Sequence, residues 1–469
     1  MTLNYKIRTA AFPILLIVSK LFAQSQAPAL PNAPNMQSHS LASAQSTSTA
    51  ALLPQPAADG NPTPLTRQEA EKIALTNNPR IQISQLIAKV EHQVVRERRA
   101  DELPNLNGAL TAVEANDGSR ISSGSLTASR LLVHAGVGLQ VSQLITDFGR
   151  TPNLVASAKL QEKARQADAE ASREDIVLAT DQVFFSALEA QATLKVADET
   201  MSARQALTDQ VGALTSSKLK SDLDLSFAQV NLSQAKLLQL DARNNLNAAM
   251  AALSAVLGYE KQMGFQLVDG TGSLPSLPPD ADVLIEQAIQ NRPDLQSLKF
   301  KEEAAQKFSK AQHEQLLPTI NALGVVGETP VGSSEYFITN WYGAVGGNVS
   351  IPIFNGFRFT AQASEASLQA QAASQQTRAL REQVARDVRT AWLSANTALQ
   401  RVAVSGELVK EANTALDLAK TRYDLGLSSI VELGQAELQQ TEAAIDNANA
   451  RSQYDFAIAT INFQTGVQP

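Results

Sequence analysis

A tandem duplication constrains this chain more than any other feature. Asn77-Asn78-Pro79 recurs as Asn291-Arg292-Pro293, and Leu103-Pro104-Asn105-Leu106-Asn107 as Leu317-Pro318-Thr319-Ile320-Asn321, both at an offset of 214. Further along the offset falls to 208. Val141-Ser142 matches Val349-Ser350, Arg150 matches Arg358, Arg173-Glu174 matches Arg381-Glu382, and Gly258 matches Gly466. The second copy is therefore six residues shorter, and the change falls between Asn107 and Val141, where a loop absorbs it at least cost. The copies run over 65–258 and 281–466. A linker, 259–280, holds Pro275, Pro278 and Pro279, and residues 467–469 form a tail. Whatever one copy folds into, the other must fold into as well.

Each copy reads as a helix, a strand pair and two long helices, which makes the fold mainly α with a small β part. Thr66 and Glu69 are spaced as a capping box at the first helix, and Pro79 and Pro293 should break or kink the opening helices. Leu-Pro at 103–104 and 317–318 ends each of them. Roughly 60 residues after Arg150 and after Arg358 read as long helix. In the second copy one register runs through Val384, Val388, Ala391, Ala395, Ala398, Val402, Ser405, Val409, Ala412, Leu416, Ala419 and Tyr423. Alternating steps of four and three make a coiled-coil seam, and its alanines let helices approach closely. Ile176, Val183, Ala187, Ala190, Leu194, Ala197 and Met201 carry it in the first copy. At about 1.5 Å per residue such a helix is a rod on the order of 90 Å. Tyr423-Asp424-Leu425-Gly426-Leu427-Ser428-Ser429 turns it back; the first-copy turn has Lys218 in place of Gly426 and should be shaped differently.

The N-terminus indicates export. Lys6 and Arg8 precede an apolar run ending near Val18, then Leu21-Phe22-Ala23, the order of a signal peptide spanning 1–23. Residues 24–64 are Ala, Ser, Pro and Gln with little to bury, and read as a disordered mature N-terminus. No later stretch is long and apolar enough for a transmembrane helix. The chain has no cysteine, which excludes disulfides, thiolate metal sites and a thiol nucleophile. Its four histidines are scattered, so no metal and no cofactor is implied. A net charge of -7 argues against nucleic acid as a partner. Glu174, Asp175, Asp181, Glu189, Asp198 and Glu199 read as a solvated helix face rather than an acid–base pair. An enzyme lacks any nucleophile–base or metal spacing here.

The strands decide the setting. Val137, Leu139 and Val141 alternate with Gly138, Gln140 and Ser142, and Val345, Val349 and Ile351 alternate with Gly346, Asn348 and Ser350. One apolar and one small-polar face suits a membrane barrel with a wet lumen; a soluble sandwich is the alternative. Tyr336, Phe337, Trp341 and Tyr342 cluster before the last strand, and Phe148, Phe354 and Phe357 lie past the strand ends, as interfacial girdles require. Four strands cannot close a barrel and lipid does not tolerate open edges, so membrane strands demand an oligomer.

The whole layout, with Phe-Gly-Arg or Phe-Asn-Gly after each strand pair, resembles the TolC-type outer-membrane efflux family over 65–466. The second tip, Tyr423-x-x-Gly426-Leu427-x-x-x-x-Glu432-Leu433, is specific to it. The resemblance implies a homotrimer in the outer membrane, a twelve-stranded barrel continued by a periplasmic coiled-coil tunnel. It also implies partners, a periplasmic adaptor and an inner-membrane pump, and passage of small molecules or polypeptides. By resemblance Glu432 is a constriction-ring acid and Asp224 latches to Tyr423. The second ring position holds Gln435 and the latch-arginine position Ser428, so charge ring and latch are weaker. Leu219, Gly426, Leu427 and Ser428 mark the adaptor-contact tips. A pore-free periplasmic scaffold or adaptor is the rival reading, with Glu432 and Asp224 as solvated surface and Tyr423 as seam core.

Overall fold

The computed structural model describes residues 63–113, 120–123, 126–130, 134–268, 274–328 and 341–467. The expected signal peptide over 1–23, residues 24–62, Tyr336, Phe337 and 468–469 lie outside the described residues.

The chain enters as strand β1 (Thr63–Leu65), so Thr63 and Pro64 belong to the fold rather than to the N-terminal stretch. Helices α1 (Arg67–Asn77) and α2 (Pro79–Ala100) follow. Strands β2 (Asn105–Val113) and β5 (His134–Thr146) flank a small hairpin, β3 (Arg120–Ser123) with β4 (Leu126–Arg130). Two long helices, α3 (Arg150–Ser216) and α4 (Asp222–Val256), complete the first copy. Within the linker, β6 (Phe265–Leu267) pairs in parallel with β1. The second copy repeats the order: α5 (Ala281–Asn291), α6 (Pro293–Glu314), β7 (Thr319–Glu328), β8 (Trp341–Ser350), α7 (Arg358–Asp424) and α8 (Ile430–Thr465).

Local chemistry sets these boundaries. Thr66 and Glu69 form the capping box, with the Glu69 amide donating to Thr66 Oγ1 at 3.3 Å and the Thr66 amide donating to Glu69 at 3.0 Å. Pro79 and Pro293 break the opening helix into two by standing at the first position of the next. There the missing N–H is one no helix would use, and the residue before is forced extended. Pro152 is tolerated in the first turn of α3 for the same reason.

Strands β2, β5, β7 and β8 form one antiparallel sheet in the order β2-β5-β7-β8. The two hairpins share one register: Leu106 lies opposite Val141 as Ile320 lies opposite Val349, and Val113 opposite His134 as Gly327 opposite Tyr342. The six-residue difference is thereby confined to 114–133. Each sheet hairpin passes into its long helix through two consecutive left-handed residues. In the first copy these are Phe148 (φ 56°) and Gly149 (φ 113°); in the second they are Gly356 (φ 65°) and Phe357 (φ 64°). Glycine and phenylalanine have changed places between copies, so each turn keeps one strain-free and one strained position.

Helices α3 and α7 each have 67 residues, about 100 Å of rod. Ten of the twelve second-copy seam residues are buried; Val409 and Leu416 are half-buried. The copies also build matching cores. Ala70, Ala74, Ala187 and Leu253 pack in the first where Leu284, Ala288, Ala395 and Ile461 pack in the second.

At the far end the two reversals are alike, contrary to expectation. Lys218 adopts φ 60° and Gly426 φ 72°. The Leu219 amide donates to Leu214 O at 2.9 Å as the Leu427 amide donates to Arg422 O at 2.8 Å. The hydrogen-bond closure is satisfied equally by both sequences, so lysine accepts a left-handed backbone costing it roughly 1 kcal/mol. Lys218→Gly should slow amide exchange at Leu219, and Gly426→Ala should cost about 1 kcal/mol, speeding exchange at Leu427 roughly fivefold. Equal exchange in both variants and the parent would show that backbone strain does not limit the tip.

Candidate functional site

The tip joins the two copies. Val211 of α3 and Ala228 of α4 pack with Ala419 and Tyr423 of α7 and with Ile430, Leu433 and Ala436 of α8. Tyr423 is 3% exposed, and its hydroxyl is buried without a hydrogen-bond partner. Burial lifts its phenol above the usual range, with Asp224 and Asp424 adding to the shift. Asp224 itself closes a capping box: its carboxylate accepts from the Ser221 hydroxyl at 2.8 Å and the Ser221 amide at 3.2 Å. The structure thus brings Asp224 into the electrostatic reach of Tyr423, with the carboxylate hydrogen-bonded to its own helix. Glu432 stands in the first turn of α8 and pairs with Arg422 at 3.3 Å, both half-exposed, an arrangement worth little in water. Gln435 is exposed on the same helix, while the Ser428 hydroxyl is buried and unpartnered.

Two features of the tip escaped the sequence reading. Lys220 places its ammonium 4.0 Å from the centroid of the Tyr423 ring, within cation–π range. Lys220 is the repeat equivalent of Ser428, so the cation absent from one tip is present on the other. Deeper in, Arg204 of α3 is 5% exposed and lies 3.7 Å from the Glu437 carboxylate of α8. Its signal was legible: Arg204 continues the first-copy seam where the second copy has Ala412. At the apex Leu219 and Leu427 are 71% and 68% exposed, and Gly426 is exposed beside them.

At the other end, the sheet separates its side chains by face. Leu106, Leu110, Val137, Leu139, Val141, Val345 and Val349 lie on one face and are all exposed. Asn105, Asn107, Gln140, Asn321 and Asn348 lie on the other, together with Leu323 and Val325. Trp341 and Tyr342 are the first two residues of β8, not a cluster before it, so they point to opposite faces. Trp341 shares the apolar face. The Tyr342 hydroxyl instead lies over Gly138 and Gly327, where added Cβ atoms would meet it at 3.7 and 3.1 Å. Phe148, Phe354 and Phe357 are exposed at the helix end of the sheet, the last two edge to face at 5.6 Å between ring centroids.

Between these ends the acidic band of α3 is solvated only in part: Asp175 and Glu199 are exposed, Glu174, Glu189 and Asp198 are half-buried, and Asp181 is buried. Asp181 is 2% exposed and accepts from Arg67 Nε at 3.0 Å, while Arg67 also pairs with Glu71 at 2.7 Å. Burial lifts the Asp181 carboxyl above its ordinary range, with Arg67 opposing. Glu174 lines the same cleft, of about 110 Å³, and burial pushes its carboxyl up to about 7. The reason lies in the repeat. α1 packs across α3, so carboxylates on that side meet α1 instead of water.

This combination of an open membrane-type sheet and a long helical hairpin pair defines a class, the helix-extended outer-membrane channels. The model of the outer membrane efflux protein family matches the chain twice, over residues 72–259 and 284–467, and the chain belongs to that family. It is 23% identical over 413 residues to the outer membrane protein TolC of Salmonella enteritidis, covering 83% of this chain and 81% of that one. To OprJ of Pseudomonas aeruginosa it is 26% identical over 375 residues, covering 76% and 74%. In fold it is similar to the outer-membrane channel OprN (TM-score 0.74, 17% identity, 86% and 90% coverage). It is likewise similar to VceC of Vibrio cholerae (TM-score 0.72, 18% identity, 85% and 96% coverage). The chain is an outer-membrane efflux channel that extends into the periplasm.

The raised Glu174 carboxyl gives a pH dependence with a definite sign. A group whose folded pKa is raised stabilises the fold fully below the ordinary carboxylate range, and that contribution is lost as pH rises towards about 7. Thermal unfolding in detergent should therefore show Tm falling between about pH 4 and 7, with a shallower slope in Glu174→Gln. Parallel slopes would remove Glu174 from the effect.

Proposed function

We propose that three copies of this chain close into one tube, forming the passive exit duct of a tripartite export system. The repeat itself carries this. Inside the chain β5 pairs with β7, and α3 packs along α8. Carried through the repeat, the same contacts become β8 with β2 and α7 with α4. Neither has a comparable interface within the chain, where β2 and β8 are the sheet edges. The missing partner is the next copy; a head-to-tail contact forms a ring when its rotation closes, and closure is what sheet edges in lipid require. The faces are ready for it. Leu223, Phe227, Val230, Leu237 and Leu240 form an exposed seam on α4, and Val404, Leu408 and Leu418 are exposed on α7.

Three copies pool twelve strands around a polar lumen, with Trp341 and the phenylalanine rings at the two rims of the lipid-facing band. Asp224, Tyr423, Glu432 and Gln435 then gather at the far end as the gate. With one acid and one amide per chain, the ring is less negative than an all-acid ring. Leu219 and Leu427, apolar and exposed at the apex, meet a periplasmic adaptor, which links the duct to an inner-membrane pump. The duct performs no covalent chemistry; the pump supplies the energy.

Detergent extraction from the outer-membrane fraction should yield a particle of about 150 kDa of protein, three times 50.1 kDa. The chain has no cysteine, so an engineered pair is unambiguous. Val141 lies opposite Gly324 within the sheet, and its repeat image sets Val349 opposite Leu110 of the next copy. Leu110→Cys with Val349→Cys should give covalent trimers on oxidation. Release without detergent as a monomer, together with no conductance in a planar bilayer, would favour the pore-free scaffold.

A further inference from the structure

The cleft beside Glu174 has its walls on three helices of one chain: α1, α3 and the end of α8. Leu75, Val177, Leu178, Ala459 and Phe463 make it mostly apolar. Its volume of about 110 Å³ has room for several waters or a short organic molecule, and is too small for a drug-sized one. The charges around it are unevenly matched. Arg67 is shared by two buried carboxylates, Glu71 at 2.7 Å and Asp181 at 3.0 Å. Arg173 is exposed at the rim, and α8 brings no charge to the lining. Arg292, at the start of α6, acts on Glu174 but is paired with Asp294 at 2.6 Å. Glu174 has neither a hydrogen bond nor an ion pair among the described residues, and Glu170, Asp175 and Asp294 add negative charge around it. This half-buried carboxylate lacks a cation of its own.

The fold does not require these groups. By the offset of 214, Arg67 and Glu71 correspond to Ala281 and Ile285 on α5. Ala281 is buried, and Ile285 packs against the second core. By the offset of 208, Glu174 and Asp181 correspond to Glu382 and Arg389 on α7. Both lie in the open: Glu382 pairs with Arg378 and Arg389 with Asp282, and each of the four side chains is at least 60% exposed. One copy thus makes its helix-on-helix contact with apolar side chains, and the other with charges that are costly to bury.

We propose that this cleft is a binding site for a small alkylammonium ion, with the ammonium on the Glu174 carboxylate and the hydrocarbon chain along Leu75, Leu178 and Phe463. A protonated amine supplies the missing charge and three N–H donors, while its alkyl chain displaces water from apolar walls. An anion would face Glu71 and Asp181 with Arg67 already committed to them. A metal ion would lack ligands, since no group of three or more His, Asp or Glu among the described residues is placed to hold one. A proton is the amine's competitor: burial pushes the Glu174 carboxyl up to about 7, so binding strengthens as pH rises through that value. All the walls belong to one chain, and the site is therefore independent of how copies assemble.

Calorimetric titration of the detergent-solubilised protein with n-butylammonium chloride tests this. At about pH 8 saturable binding is expected at roughly millimolar concentration, and none with n-butanol, which has the chain without the charge. Affinity should fall about tenfold between about pH 8 and about pH 6, as the ionised fraction of Glu174 drops. Glu174→Gln should lose about tenfold or more in affinity, together with the pH dependence. Leu178→Trp, which fills the cleft and leaves the carboxylate in place, should abolish saturation, with thermal melts confirming that each variant is folded. No saturation in the parent, parental affinity in Glu174→Gln, or equal affinity at the two pH values would overturn the site. Because the titration reads binding alone, a protein that binds the amine yet forms no conducting trimer would contradict the duct and leave the cleft standing.

Discussion

Unpaired backbone at the edges of a four-stranded sheet is the constraint on which this architecture turns. In water an open edge can be left to solvent, but in hydrocarbon every N–H and C=O must find a partner within protein. Strands β2 and β8 are therefore a commitment to assembly: the chain has too few strands to close on itself, yet an apolar face made for lipid. The duplication resolves this economically. A unit that pairs its own copy in the middle of the sheet can pair another chain's copy at the edge with the same geometry. In the proposed ring the long helices follow suit, with α3 on α8 repeated as α7 on α4.

The helical part solves a different problem, that of keeping 67-residue rods in register over about 100 Å without a thick core. Alanine does most of this. Small seam side chains allow close approach but bury little area each, so no single contact is strong and the interface gains stability by length. Such a seam specifies alignment poorly, because one alanine resembles the next. Features that break the monotony, such as Arg204, the Gly434 approach to Asn231 and the Tyr423 cluster, supply the register that alanine cannot.

Much of this was legible in the sequence because it rests on periodicity. The repeat offsets located both copies, the prolines located the helix breaks, and the four-three spacing located the seam, which is buried in the second copy except at Val409 and Leu416 and half-buried in the first at Val183, Ala190, Leu194 and Met201. Errors arose where one residue's setting depends on a neighbour far away in the chain. Asp181 looked solvated because Arg67, its partner, is distant in sequence. Trp341 and Tyr342 looked like one cluster because adjacency hides the alternation of faces. Lys218 was expected to reshape its turn, but a closing hydrogen bond from Leu219 to Leu214 outweighs a strained φ. At the tip, Tyr423, Asp224 and Glu432 could be named from resemblance. Lys220 over the tyrosine ring could not, because it requires the two copies to be folded against each other.

The equal length of α3 and α7 has a consequence for whatever docks beneath. Both hairpins start at the same sheet, run for the same number of residues and reverse through the same turn, so their ends finish level. Each chain thus offers two footholds alike in backbone, which differ in side chain at Ser217 and Leu425, Lys218 and Gly426, Lys220 and Ser428, and Asp222 and Ile430. In the proposed ring the backbone of the far rim therefore has about twice the rotational order of the chains that build it.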